Sequence, residues 1–320
     1  MTAMRRMIAL AGALALSACA AALPQQVITT PEGAVIDADP DLAYEPGQLT
    51  PAQLSASTRD VFAADFMNVF RRFDPARTQD MVRFYTGALG LKSLSPIQLT
   101  STQQMILTGI GSAQVKLAAG LPEGRRYALG GVNGGTGIRY FRIAYPDEAE
   151  VTANFARNGF AAPQFARWDG LRAAIVMDPG GFPVEIVIDP AASSAGGSGV
   201  GVGIAASDLA ASRAFYRTFV GLDELPPVTD PAIGQTLYPF RNGETTILLF
   251  QAAAGAPVDD GSAGIQYIVG DAAMVDARAK HRQIPVQTPL NRLSGFDLTT
   301  IWLSDPDGVT NYFAQVGPRR

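Results

Sequence analysis

One short sequence pattern occurs twice in this chain, and the repeat constrains the fold more than any other feature. The first copy, RFYTGALGL, occupies residues 83–91, and the second, AFYRTFVGL, occupies residues 214–222. Each copy is followed far downstream by an aspartate-proline turn, at Asp178 and at Asp305. The Phe-Tyr pairs, at 84 and 215, lie 131 positions apart, and the turns, at 178 and 305, lie 127 apart. Both spacings match the size of one compact domain, so the chain is predicted to contain two copies of a single domain.

The repeated segments resemble the vicinal oxygen chelate superfamily, which includes glyoxalase I, fosfomycin and bleomycin resistance proteins and extradiol dioxygenases. In that family Phe-Tyr ends a helix shortly before Leu-Gly-Leu, and an Asp-Pro-x-Gly turn leads to a strand with Glu seven residues after the Asp. Residues 178–187 fit this closing motif in full, and residues 305–313 fit it except at the glutamate. The resemblance covers about residues 60–316. It implies an α+β fold of two tandem domains, each made of paired βαβββ modules that form a curved mixed sheet around a cleft.

Local patterns agree with an α+β class, because the order strand, helix, several strands recurs along the chain. The predicted strands are 62–73, 103–107, 114–118, 138–144, 173–177, 184–188, 200–205, 237–240, 245–251, 265–269, 299–303 and 311–315. The predicted helices are 78–87, 147–158, 209–218 and 272–281.

The N-terminus has the features of a bacterial export signal. Arg5 and Arg6 precede an apolar run, residues 7–16, which is too short to span a bilayer as a mature helix. The sequence Leu-Ser-Ala-Cys that ends at Cys19, the only cysteine, resembles a lipobox, where the signal is cut before a cysteine that becomes lipidated. A plain secretory signal with an incidental cysteine is the alternative, which the position of the lone thiol disfavours. Ala20 after the cysteine favours, by the same resemblance, the outer membrane facing the periplasm.

Composition completes the predicted organisation. The segments are a signal peptide (1–18), a lipidated cysteine with a flexible tether (19–58), a first domain (59–190), a Gly/Ser linker (191–199) and a second domain (200–317). The net charge of −4, with acids and bases interspersed, does not favour binding to nucleic acid.

Superfamily members with a metal hold it through four strand positions, usually His, Gln or Glu. Counting from the motifs places the eight positions at Phe70 (or Met67 or Asn68), Lys116, Tyr140 and Glu185 in the first domain and Gly201, Leu248, Gly264 and Tyr312 in the second. Only Glu185 is a conventional ligand, and a divalent ion needs at least three converging donors. The single histidine, His281, is expected at the solvated basic end of a helix. The prediction is therefore that neither cleft holds a metal or another cofactor.

Without a metal, two interpretations of Glu185 remain. If Lys116 projects into the same cleft, the two can form an ion pair, and Glu185 can act as a general base assisted by Tyr140 or Arg139. Alternatively, Glu185 is a relic neutralised by a nearby arginine or by solvent. In the second domain Leu248, Tyr312, Trp302 and Phe313 either line a small-molecule pocket or fill a core.

Three functions follow as hypotheses, because a fold alone does not choose among them. The first is a metal-independent, lipid-anchored envelope protein that binds a small molecule through Phe70, Lys116, Arg139, Tyr140, Leu248, Trp302 and Tyr312. The second is a divergent lyase- or dioxygenase-type enzyme that uses Glu185. The third is a structural module that contacts another envelope protein.

Overall fold

The computed structural model describes residues 28–29, 35–36, 39–98, 104–168, 170–192, 199–293 and 297–318. Twenty strands are present in this part of the chain: β1 Ile28–Thr29, β2 Val35–Ile36, β3 Phe62–Phe73, β4 Lys92–Ser93, β5 Ile97–Gln98, β6 Gln104–Ile110, β7 Ala113–Ala119, β8 Gly137–Tyr145, β9 Ala166–Trp168, β10 Leu171–Met177, β11 Pro183–Ile188, β12 Val200–Ala206, β13 Asp223–Glu224, β14 Val228–Asp230, β15 Gln235–Asn242, β16 Thr245–Gln251, β17 Ala263–Val269, β18 Val286–Leu293, β19 Leu298–Ser304 and β20 Thr310–Val316.

The helices of the described residues are short. The α-helices are α1 Pro51–Ser55, α2 Thr78–Val82, α3 Glu148–Arg157, α4 Leu209–Ala214 and α5 Ala272–His281. Both copies of the Phe-Tyr pattern form a π-helical turn, Arg83–Ala88 after α2 and Phe215–Val220 after α4. Single 3₁₀ turns occupy Pro40–Leu42, Thr58–Val61 and Pro75–Arg77.

Strands β3 to β20 form four similar units that we call modules 1 to 4. Each module begins with a long strand, continues through a helix and ends with an antiparallel pair of strands. Module 1 comprises residues 62–119, module 2 residues 137–188, module 3 residues 200–251 and module 4 residues 263–316. The two halves of the chain therefore each contain two modules, and the predicted strands and helices lie within them.

The modules combine into two nine-stranded sheets, and each sheet takes one module from each half. Sheet I joins modules 1 and 4, in the order β18-β19-β20-β17-β3-β7-β6-β4, with β5 paired to β6. Sheet II joins modules 2 and 3, in the order β13-β15-β16-β12-β8-β11-β10-β9, with β14 paired to β15. Both sheets are curved and mixed, so the predicted α+β class is confirmed.

The pairing of modules differs from the expectation that both modules of one half share a cleft. The first strands of modules 1 and 4 pair antiparallel, Gly264 opposite Phe70, and those of modules 2 and 3 pair antiparallel, Gly203 opposite Tyr140. Because the four modules are similar, the first strand of one module can pair with the first strand of any other and form the same backbone hydrogen bonds. The chain pairs modules from different halves. Each cleft is therefore built by both halves of the chain.

The longer helices pack against one face of each sheet, and no helix of the described residues covers the opposite face. Phe84, Phe155 and Phe219 from helical segments share one continuous hydrophobic core with strand residues of both sheets, among them Ile143 and Ile265. Because strand side chains alternate between faces, the neighbouring positions point to the other side, which we call the helix-free face. The positions that the superfamily resemblance implies as ligand positions lie on these helix-free faces.

The two parts of the repeated motif contact each other and tie the sheets together. The Tyr85 hydroxyl donates to Asp178 Oδ2 at 3.3 Å, and the Tyr216 hydroxyl donates to Asp305 Oδ2 at 3.0 Å. Asp178 also accepts a hydrogen bond from Arg71 Nε at 3.0 Å, whereas Asp305 forms no ion pair within the described chain. Each tyrosine-aspartate pair joins successive modules of one half, and these modules belong to different sheets.

Residues 39–61, most of which were expected to be a tether, pack against module 4. Arg278 on α5 donates to the carbonyl oxygens of Gln53 at 2.9 Å and Ser57 at 2.6 Å, and its Nη2 donates to Asp60 Oδ2 at 2.8 Å. The Tyr44 hydroxyl donates to Asp271 Oδ2 at 2.5 Å. We call residues 39–61 the N-terminal strap. The structure thus differs from a tether that reaches residue 58.

The predicted lipidation site and most of the predicted linker lie outside the described residues. Cys19 precedes residue 28, and residues 193–198 fall between Ala192 and Gly199. No helix in the described ranges has the length and apolar character needed to cross a membrane.

Candidate functional site

The helix-free face of sheet I is lined by aromatic side chains around a small polar cluster. Phe70 on β3 lies 6.4 Å from Trp302 on β19, between ring centroids, and Trp302 lies 4.9 Å from Tyr312 on β20. Phe70 is buried, whereas Trp302 and Tyr312 are half-buried. Gly264 leaves room for the Phe70 ring, because a Cβ at position 264 would lie 2.0 Å from the ring. The aromatic wall is therefore partly accessible.

The polar cluster on this face centres on the Gln266 side chain. Gln266 Oε1 accepts hydrogen bonds from Asn68 Nδ2 at 2.9 Å and from Lys116 Nζ at 2.5 Å. The Gln266 side chain also interacts with the Tyr312 hydroxyl, which opposes the rise that burial imposes on the pKa of Tyr312. These contacts hold Lys116 beside Phe70, its register partner on the neighbouring strand.

Lys116 is electrostatically unusual. Removal from water lowers the pKa of its ammonium group to about 8, and it forms no ion pair with any carboxylate of the described residues. A half-buried ammonium that has no counter-charge stabilises any anion that enters its surroundings, because the attraction is weakly screened there. The site can therefore hold a negative group of a ligand.

The helix-free face of sheet II is closed by an internal ion-pair cluster. Arg142 Nε donates to Glu185 Oε2 at 2.6 Å, and the same guanidinium contacts Asp230 on β14. Glu185 is fully buried, and burial raises the pKa of its carboxyl group while Arg142 opposes that rise. Gly201 lies under the Arg142 side chain, since a Cβ at 201 would be 3.0 Å from Arg142 Cβ. The two carboxylates therefore share one guanidinium.

Apolar side chains fill the remainder of the sheet II face. Tyr140, Leu237, Leu248 and Phe250 form a small buried cluster with neighbouring residues, and the Tyr140 ring lies over Gly203. A Cβ at position 203 would lie 1.9 Å from that ring. The face is packed as a core and does not present an open wall like that of sheet I.

The structure separates the predicted site residues into two groups. Sheet I brings together Phe70, Lys116, Trp302 and Tyr312, and sheet II brings together Tyr140, Glu185 and Leu248. The hypothetical Lys116–Glu185 ion pair is not formed, because the two residues belong to different sheets. They lie on different sheets because each sheet combines one module from each half of the chain.

Arg139 and His281 belong to neither of these two groups. Arg139 is buried, pairs with Asp259 at 3.4 Å and donates to the Gly131 carbonyl at 2.8 Å, so it contacts loops and not Glu185. His281 is the last residue of α5 and is exposed, which agrees with a solvated basic helix end.

The residues at the metal-ligand positions implied by the superfamily do not fit a metal ion. On sheet I these positions are Phe70, Lys116, Gly264 and Tyr312, and an ammonium group there opposes cation binding. On sheet II the one conventional ligand, Glu185, is already bound by a guanidinium. No group of three or more potential metal-binding side chains occurs in the described ranges. We therefore derive no step through a metal.

Sequence reasoning missed several polar residues of the two faces. Arg142 is two positions after Tyr140, and Gln266 is two positions after Gly264, so strand alternation alone places each on the same face as its predicted neighbour. Asn68 was named only as an alternative at the first position. No sequence signal indicated Asp230, which reaches the cluster because the short β14 folds onto β15.

Comparison with known proteins identifies the family of the second half of the chain. Residues 200–313 match the model of the Glyoxalase/Bleomycin resistance protein/Dioxygenase superfamily. Glyoxalase I from Zea mays is 19% identical, with a TM-score of 0.58 over 78% of this chain and 92% of that chain. A putative dioxygenase from Bacillus subtilis is 14% identical, with a TM-score of 0.58 over 82% of this chain and 87% of that one. No curated protein matches at the level of sequence.

Residues 200–313 belong to this superfamily, and the motifs that resemble it occur in both halves of the chain. The family model covers the second half, and the structural neighbours share the fold across both halves. At these identities the neighbours define the fold alone.

Proposed function

We propose that this protein is a metal-independent small-molecule-binding member of its superfamily, with its ligand site on the helix-free face of sheet I. One observation carries the proposal: the half-buried Trp302 and Tyr312 stand beside Lys116, a cation without a counter-charge. Apolar walls with a few polar groups are typical of small-molecule sites. The same face would be expected to be packed if it served only as core.

The cellular setting is part of the proposal. A lipid anchor on Cys19 would hold the domains at the outer membrane, facing the periplasm, since several acyl chains give stable attachment. The N-terminal strap would then connect the anchor to module 4, which it contacts through Arg278 and Asp271.

The enzymatic alternative has weaker support. A general base must have a lone pair within reach of a substrate proton, and Glu185 is fully buried and held by Arg142. This ion pair agrees with the alternative interpretation, in which a nearby arginine neutralises Glu185. A structural role for the paired sheets has no specific contact surface in its favour.

A tryptophan-based experiment tests the proposal. The chain has two tryptophans, so Trp168→Phe leaves Trp302 as the only reporter of the site. Protein purified from its own host is examined by native mass spectrometry and elemental analysis, and extracted small molecules are returned to the Trp168→Phe variant. We expect a co-purified organic ligand, no stoichiometric metal, and a change in Trp302 fluorescence on rebinding.

The matched controls separate the two faces. Tyr312→Ala should weaken rebinding, whereas Leu248→Ala on sheet II should leave it unchanged, with folding checked by circular dichroism. Rebinding that is lost only in the Leu248 variant, or a stoichiometric metal after dialysis, would refute the proposal.

A further inference from the structure

We infer that the ligand of the sheet I face is an organic anion with a flat apolar body. This inference rests on the proposed function and adds the class of ligand. Three independent features of the face support it: the charge balance, the hydrogen-bonding groups that remain unused, and the arrangement of the aromatic rings.

The charge balance of the face is positive. Lys116 and Arg72 flank the Phe70 ring, with the Arg72 guanidinium 4.6 Å from the ring centroid, and neither forms an ion pair with a carboxylate of the described residues. Asp260, the carboxylate that acts on Arg72 from nearby, is already bound by Arg126, whose Nη2 lies 2.6 Å from Asp260 Oδ2. A negative group on the ligand would supply the missing charge.

Arg72 is buried, but most of the N–H groups of its guanidinium have no hydrogen-bond partner within the described residues. Its Nη1 donates to the Gly261 carbonyl at 3.1 Å, which uses one of its five N–H groups. The residue also lines a cavity of about 210 Å³ together with Tyr127 and Leu129. The guanidinium therefore keeps unused donors beside this cavity.

The hydrogen-bonding groups left over on this face are mainly donors. Trp302 Nε1 is buried and has no hydrogen-bond partner, and indole N–H groups can only donate. The amide oxygen of Gln266 already accepts from both Asn68 and Lys116. A ligand that brings acceptor oxygens, such as a carboxylate or a sulfonate, satisfies the unused donors, whereas a ligand that brings donors does not.

The aromatic rings define the shape of the other part of the ligand. The rings of Trp302 and Tyr312 are 47° apart, and those of Phe70 and Trp302 are 36° apart. Together these tilted rings line the partly accessible side of the face. Offset or edge-to-face contacts with such rings favour a flat unsaturated body.

Two fluorescent probes that differ in charge test this inference. The anion 8-anilinonaphthalene-1-sulfonate and the neutral N-phenyl-1-naphthylamine share a flat aromatic body, and both are titrated into the Trp168→Phe variant with energy transfer from Trp302 as the signal. The sulfonate should bind at least about tenfold more tightly than the neutral probe, as one charge-assisted hydrogen bond can provide. Raising the salt concentration should reduce only the affinity for the sulfonate.

Variants at Lys116 decide the role of the charge. Lys116→Met should weaken the sulfonate by about tenfold and leave the neutral probe within about twofold, while Lys116→Arg should retain sulfonate binding. Lys92→Met, which removes an exposed lysine on β4 of the same sheet, is the control and should change neither affinity.

The outcomes separate the two claims. If both probes bind at Trp302 with equal affinity, or if Lys116→Met weakens them equally, the anionic class is wrong and the binding site stands. If neither probe receives energy from Trp302, the proposed site is wrong as well, and the inference falls with it.

Discussion

Replacing Asp305 by Asn should change how the stability of the protein depends on pH. Asp305 is fully enclosed at the second Asp-Pro turn, and burial raises the pKa of its carboxyl group to about 7, with a smaller contribution from the Asp307 carboxylate. Its Oδ1 accepts from the backbone N–H groups of Asp307 and Val309, both at 2.9 Å, and its Oδ2 accepts from the Tyr216 hydroxyl. An asparagine retains this arrangement, because its amide can donate to the tyrosine oxygen.

The direction and size follow from proton linkage. Between the unfolded value of 3.8 and the folded value of about 7 the native state holds a proton that the unfolded state has lost, so stability falls as pH rises through this window. Each unit of pKa difference corresponds to about 1.4 kcal/mol. The wild type should therefore lose about 2 kcal/mol between pH 5.5 and pH 8 relative to Asp305→Asn, and the difference should level off above pH 8.

Urea unfolding of both proteins at a series of pH values measures this difference. Asp178→Asn is the control, because Asp178 is paired with Arg71 and its removal leaves a buried guanidinium without a counter-charge. That variant should lose about 3 kcal/mol or more across the pH range, because breaking a buried pair strands the remaining charge. A stability difference between Asp305→Asn and the wild type that stays constant from pH 5.5 to 8 would refute the assignment of a protonated Asp305.

Four further outcomes are expected. A proteolytic cut within residues 193–198 should leave the two halves of the chain associated and melting in one transition, because each sheet contains modules from both halves. Two separate melting transitions would contradict this pairing of modules. Arg278→Met should lower stability by about 3 kcal/mol and expose residues 39–61 to protease, and an unchanged digestion pattern would show that the strap is held otherwise. Arg142→Met should destabilise by about 3–5 kcal/mol at pH 8 and recover in part towards pH 5, where Glu185, whose pKa is raised by burial, can take up a proton; a loss that is independent of pH would exclude this cause. Cys19→Ser should move the protein out of the membrane fraction, and unchanged fractionation, with no lipid mass on the mature N-terminus, would contradict lipid anchoring.

Local structure was largely predictable from the sequence. The strand 62–73 and the helix 272–281 were predicted with the bounds that the structure shows, because side-chain alternation and helix-capping residues act over a few neighbouring positions. Strand β18 was missed because Pro285 and Pro289 interrupt its pattern. The structure places β18 at the edge of sheet I, where a proline removes no hydrogen bond that the sheet needs.

The repeated motif also indicated the superfamily and which strand positions share a face. Phe70 and Lys116 are register partners on neighbouring strands, whereas Tyr312, which the counting assigned to the other cleft, lies on the same sheet as they do. The alternation of side chains along each strand is a local property, and the spacing from the Asp-Pro turns fixes the register of the last strand in modules 2 and 4.

Only the tertiary structure decided which modules share a cleft. All four modules bury the same kind of apolar face and offer the same kind of strand edge, so the sequence of each is compatible with several partners. The choice depends on contacts between residues of different modules, such as Phe70 with Gly264 and Arg142 with Asp230. Those contacts form only after the modules pair. The separation of Lys116 from Glu185 is therefore a property of the assembled fold. The same holds for the difference between the closed face of sheet II and the partly open face of sheet I.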